Sequence, residues 1–93
     1  MSRVAQKVFY EGRVQGVGFR FTVRQIASGF EVNGTITNLP DGRVELCVGG
    51  EAEEVKEFLL AIRESGLAGH IAREYVENLS PETRWKGFSI IRE

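Results

Sequence analysis

The apolar residues change period across one short junction, and that change narrows the fold more than anything else in this chain. Residues 4–11 alternate. Val4, Gln6, Val8 and Tyr10 share one face, and Ala5, Lys7, Phe9 and Glu11 share the other. Valine and aromatic residues in that rhythm predict a β-strand. From Phe19 the apolar positions are Phe19, Val23, Ile26, Ala27 and Phe30. Steps of three and four residues put them on one face of a helix, with Gly29 expected just past its end. The junction is Gly12-Arg13-Val14-Gln15-Gly16-Val17-Gly18-Phe19-Arg20. Its glycines let successive backbone N–H groups turn toward one point. The helix that follows adds a partial positive charge at its N-terminus. Arg20 places a full cation in the first turn, where it opposes the helix dipole unless an anion is bound. The segment reads as a cradle for a phosphate-sized anion. The plainer reading is a tight strand-to-helix connection. The glycine spacing matches neither the dinucleotide fingerprint nor the P-loop.

Further along, Val32 to Asn38 is rich in β-branched residues and predicts a second strand. Leu39-Pro40-Asp41-Gly42 is a turn, with proline presetting φ and glycine taking positive φ. Arg43 to Val48 alternates and completes a hairpin. Gly49-Gly50 is expected to break that strand. Glu51, Glu53 and Glu54 open a second helix, where acids suit the dipole. Its buried stripe is Val55, Phe58, Leu59 and Ile62, and Gly66 is expected to end it. Ile71 to Leu79 predicts a strand with a charged face, hence an edge. Ser80-Pro81-Glu82 is a turn, and Gly87 to Arg92 a short last strand. The order β-α-β-β-α-β plus a final strand predicts an α+β, ferredoxin-like split βαβ sandwich. Its sheet is mainly antiparallel with two helices on one face. Residues 1–93 are expected to form a single domain.

That topology has a consequence for chemistry. A crossover through one helix makes the first two strands parallel. The third strand fits between them, antiparallel to both. The glycine loop and Asn38 then lie at the same edge of the sheet. Arg20 and Asn38 are expected to converge on one pocket.

Bulk properties bound the partners. The net charge of −1 argues against bulk electrostatic binding of nucleic acid or membrane. The single cysteine, Cys47, excludes an internal disulfide and any all-cysteine metal site. No apolar run reaches transmembrane length, and the first residues show no secretory signal. The cytoplasm is the expected location. Nothing suggests an oligomer, so a monomer is expected.

With these residues in place, the chain closely resembles the acylphosphatases. The resemblance rests on Val14-Gln15-Gly16-Val17-Gly18-Phe19-Arg20, followed by Gly34 to Glu45 with Asn38 and Asp41-Gly42 inside it. The ending Gly87-Phe88-Ser89-Ile90 agrees as well. The resemblance implies that the backbone of Gln15, Gly16, Val17, Gly18 and Phe19, together with Arg20, binds the phosphoryl group. Asn38 holds the attacking water. The substrate it implies is an acyl phosphate, hydrolysed to a carboxylate and inorganic phosphate without cofactor or metal. Phosphate is then both product and inhibitor. The chain departs from the family at Thr35, usually tryptophan, and Thr37, often basic. A catalytically weak relative that binds phosphate or another small ligand is therefore the alternative.

The implied chemistry is self-consistent. A carboxylate is a weak base, so its departure needs no general acid. Positioning and charge stabilisation suffice. A guanidinium matches two phosphoryl oxygens at once. Asn38 orients water but does not deprotonate it, and the resemblance implies that a phosphoryl oxygen takes the proton. His70 is expected to be a surface residue away from the loop. Cys47 has the wrong parity for the core and no activating partner. Asp41 is a turn residue, Glu45 is its partner in sequence only, and Arg24 reads as a solvated side chain. RNA binding on this topology needs exposed aromatics on the central strands, and the third strand has none. A regulatory small-ligand domain is the other use of the fold.

Overall fold

The computed structural model describes residues 2–92. Strand β1 is Arg3–Gly12, helix α1 Phe19–Ala27, strand β2 Val32–Asn38 and strand β3 Val44–Glu51. Helix α2 is Ala52–Arg63, strand β4 Ile71–Leu79 and strand β5 Phe88–Ile91, with a short 3-10 turn at Ala68–His70. The sheet order is β4-β1-β3-β2-β5. β3 is central and antiparallel to β1 and β2. β4 is the expected edge, antiparallel to β1. β5 forms the other edge, parallel to β2. This is the ferredoxin-like α+β fold.

The alternation read in the sequence decides which face is buried. Val8, Tyr10, Ile36, Leu46 and Val48 point into one core with Phe19, Val23 and Ala27 of α1 and Val55, Phe58 and Ile62 of α2. Aromatic contacts knit the layers. Phe58 meets Phe30 at 6.0 Å and Phe88 at 5.9 Å between centroids, the range in which tilted and edge-to-face pairs are favourable.

Three details differ from expectation. Gly49 and Gly50 do not break β3, which continues to Glu51. They are needed for close approach instead. A Cβ on Gly49 would sit 2.9 Å from the Arg3 guanidinium and 3.0 Å from the Trp85 ring. One on Gly50 would sit 2.8 Å from the Glu31 carbonyl oxygen. Helix α2 stops at Arg63, ahead of Gly66. Ser65 ends it: its hydroxyl donates to the Ile62 carbonyl at 2.7 Å and accepts from the Leu67 N–H at 3.1 Å. Such local bonds compete with another helical turn. Gly29 follows α1 as expected but not in the left-handed conformation. Tight bonds from Gly29 to Ile26 and from Phe30 to Ala27 close that end.

Candidate active site

The site begins where β1 hands the chain to α1. Gly16 and Gly18 take φ values of 78° and 76°, a left-handed geometry that side chains resist. Gly18 is also the N-cap of α1, and no side chain caps the helix. The first helical bond in the ladder runs from Thr22 N–H to the Gly18 carbonyl at 3.0 Å. Among the described residues, no backbone N–H from Gln15 to Phe21 has a protein acceptor. The first turn carries no acidic residue either. A run of unmatched donors at a helix N-terminus attracts an anion.

Below this run, Phe19 is buried and meets Tyr10 at 5.2 Å between ring centroids. That contact seats the start of the helix on β1. Burial, aided by the nearby Glu74 carboxylate, pushes the Tyr10 phenol well above its usual range, so it stays neutral. At the near end of the loop, Arg13 N–H donates to the His70 carbonyl at 2.9 Å. His70 was expected to lie away from the loop. Its backbone in fact anchors the loop's base, because β4 pairs with β1 up to Gly12.

A cavity of about 160 Å³ lies over the loop. Its walls include Gly16, Gly18, Phe19, Arg20, Asn38 and Arg92. A more open polar cavity next to it is lined by Arg20, Thr37, Asn38 and Arg92. Arg20 and Asn38 therefore converge, as the topology predicts. Gln15 and Val17 do not line either cavity, and Val17 is 40% exposed. The Oδ1 of Asn38 is buried and has no hydrogen-bond partner among the described residues. An orphaned buried acceptor of this kind costs about 1–3 kcal/mol, and a water or ligand at the site would relieve it. Among the described residues, no carboxylate lines either cavity. Among the described residues, neither Arg20 nor Arg92 forms an ion pair.

Arg92 was not found by sequence reasoning. It follows β5, whose register sets Ile91 opposite Thr37 on β2. Only that parallel pairing brings residue 92 beside Asn38. Phe21, 63% exposed, also lines the smaller cavity.

Other candidates stay out. Asp41 binds Arg43 at 2.8 Å. The Arg43 N–H and guanidinium hold its carboxyl below the usual range. Glu45 faces Lys7 at 3.9 Å. Cys47 lies on the sheet face away from the helices, opposite Lys7 and Thr35, and burial pushes its thiol up. Arg24 is exposed and lines neither cavity. Among the described residues, no three His, Cys, Asp or Glu side chains cluster where they could hold a metal. Among the described residues, no helix is long and apolar enough to cross a membrane.

Fold and pocket together define a small α+β sandwich with an anion-compatible loop at one sheet edge. Comparison with known proteins narrows this class. The acylphosphatase family model matches residues 6–90. An acylphosphatase of Lactobacillus gasseri is 36% identical over 92 residues, covering 98% of this chain and 99% of that protein. The crystal structure of acylphosphatase from Bacillus subtilis superposes with a TM-score of 0.85 at 28% identity, covering 95% of this chain and 98% of that one. That of Coxiella burnetii gives 0.84 at 27%, covering 97% and 94%. The chain belongs to the acylphosphatase family.

Proposed function

We propose that the chain, acting as one domain over residues 1–93, hydrolyses acyl phosphates to a carboxylate and inorganic phosphate. The observation that carries this reading is the meeting of unmatched backbone N–H groups, Arg20 and the orphaned Asn38 amide at one cavity. The N–H groups from Gln15 to Phe19 and the Arg20 guanidinium hold the phosphoryl oxygens, where charge gathers during transfer. Asn38 orients a water for in-line attack on phosphorus. The water oxygen bonds to phosphorus as the bond to the acyl oxygen breaks. The carboxylate leaves with that electron pair, and the water proton passes to a phosphoryl oxygen. No step calls for a general acid, since the leaving group is a weak base.

The test is hydrolysis of benzoyl phosphate by the purified chain, with benzoate and phosphate both followed. Turnover is expected, unchanged by EDTA. Activity lost to EDTA and restored by a divalent cation would overturn the metal-free scheme. Phosphate should inhibit competitively. Thr37, in the wall of the open cavity at the position where the resemblance implies a basic residue, favours the alternative of a weak catalyst that mainly binds. That reading gives phosphate-dependent stabilisation with negligible turnover. The reading further takes the chain to be a cytoplasmic monomer that needs no cofactor, nucleic acid or membrane.

Arg92 adds positive potential from the rim. Exposed charges of this kind contribute modestly and are screened by salt. Arg92→Ala should weaken phosphate inhibition about two- to fivefold at low ionic strength, with the difference fading in salt. A loss that persists unchanged at high salt would mean direct, desolvated contact.

A further inference from the structure

The Gln15 side chain does not face the cavity. Its Nε2 donates to the carbonyl of Leu39 at 2.9 Å and to that of Arg43 at 2.9 Å. These two residues form the neck of the β2–β3 turn. The same carbonyls already accept elsewhere. Gly42 N–H donates to Leu39 at 3.1 Å, and Leu39 N–H to Arg43 at 2.8 Å. Leu39 directly follows Asn38. One amide therefore ties the loop to the turn that directly follows Asn38, across 24 residues of sequence.

We infer that Gln15 is a positioning residue, fixing Asn38 relative to the loop and Arg20. The inference rests on the proposed role of Asn38. Its physical basis is the doubled use of each carbonyl. Removing the Gln15 amide orphans neither oxygen, so stability changes little. What is lost is the tether between two separately built halves of the site. Catalysis by positioning is sensitive to such slack, since a shift of about 1 Å costs on the order of 10²-fold in rate.

The test is a double-mutant cycle on benzoyl phosphate hydrolysis. Gln15→Met keeps the length of the side chain and loses its donors. It should lower kcat about ten- to a hundredfold, with the phosphate inhibition constant within twofold of the parent. In an Asn38→Ala background the Gln15→Met effect should vanish, because Gln15 acts through Asn38. Circular dichroism and Tm check that each variant folds. Parental kcat in Gln15→Met overturns the inference. So does an undiminished Gln15→Met effect in the Asn38→Ala background, or a matched loss of kcat and phosphate affinity, which would place Gln15 on the phosphate instead. Parental kcat in Asn38→Ala alone is a separate outcome. It removes the proposed role of Asn38 and this inference with it.

Discussion

Arg20→Ala is expected to lower kcat/KM by about 10²–10³-fold, the scale set by removing one preorganised charge-stabilising donor. Arg20 lines both cavities and has no ion-pair partner among the described residues. Its charge is available to a ligand and is not spent on structure. The guanidinium should hold the phosphoryl group in ground and transition states alike, so binding and rate fall together. The parent should be stabilised by phosphate. A hundredfold excess over Kd contributes about 2.7 kcal/mol, which raises the Tm of a domain this small by roughly 10 °C or more. In Arg20→Ala that rise should disappear. A parental phosphate-dependent rise in the variant would locate the anion site elsewhere.

Asn38→Ala is expected to separate rate from binding. Loss of one positioning hydrogen bond should lower kcat on the order of 10²-fold, while the phosphate inhibition constant moves little. Folding should survive. The Asn38 Oδ1 has no partner among the described residues, so truncation removes an unsatisfied acceptor and breaks no bond it makes with them. The Tm should hold or rise slightly. Near-parental kcat would show that Asn38 does not orient the water, and the binding-domain reading would then gain. A large loss of phosphate affinity would instead make Asn38 a phosphate ligand.

Much of this was legible in the sequence because it depends on period and order. The alternation at residues 4–11 and the helical spacing from Phe19 follow from which face meets the core. The right-handed crossover then brings Arg20 and Asn38 together with no long-range information. What escaped depends on register and on what lies across a gap. Arg92 reaches the site only because Ile91 pairs with Thr37, and nothing local in Gly87 to Arg92 specifies that offset. Gly49-Gly50 looks like a break because glycine weakens strands. The reason for them lies in Arg3, Trp85 and Glu31, all distant in sequence. The resemblance gave a role to the Gln15 backbone alone, and the tie made by its side chain was not read from the sequence. Its partners, Leu39 and Arg43, present backbone carbonyls that any residue type would present equally.

A cradle of main-chain donors also bears on how this site drifts over generations. Peptide N–H groups are supplied by every residue but proline. Substitutions at Val17, exposed and outside both cavities, can accumulate without altering what a phosphoryl group meets. On the proposed reading, selection would be left with a few positions where shape or charge is irreplaceable: the left-handed glycines, Arg20 and Asn38. Two such loops can therefore diverge until little but those positions matches and still offer a ligand the same surface.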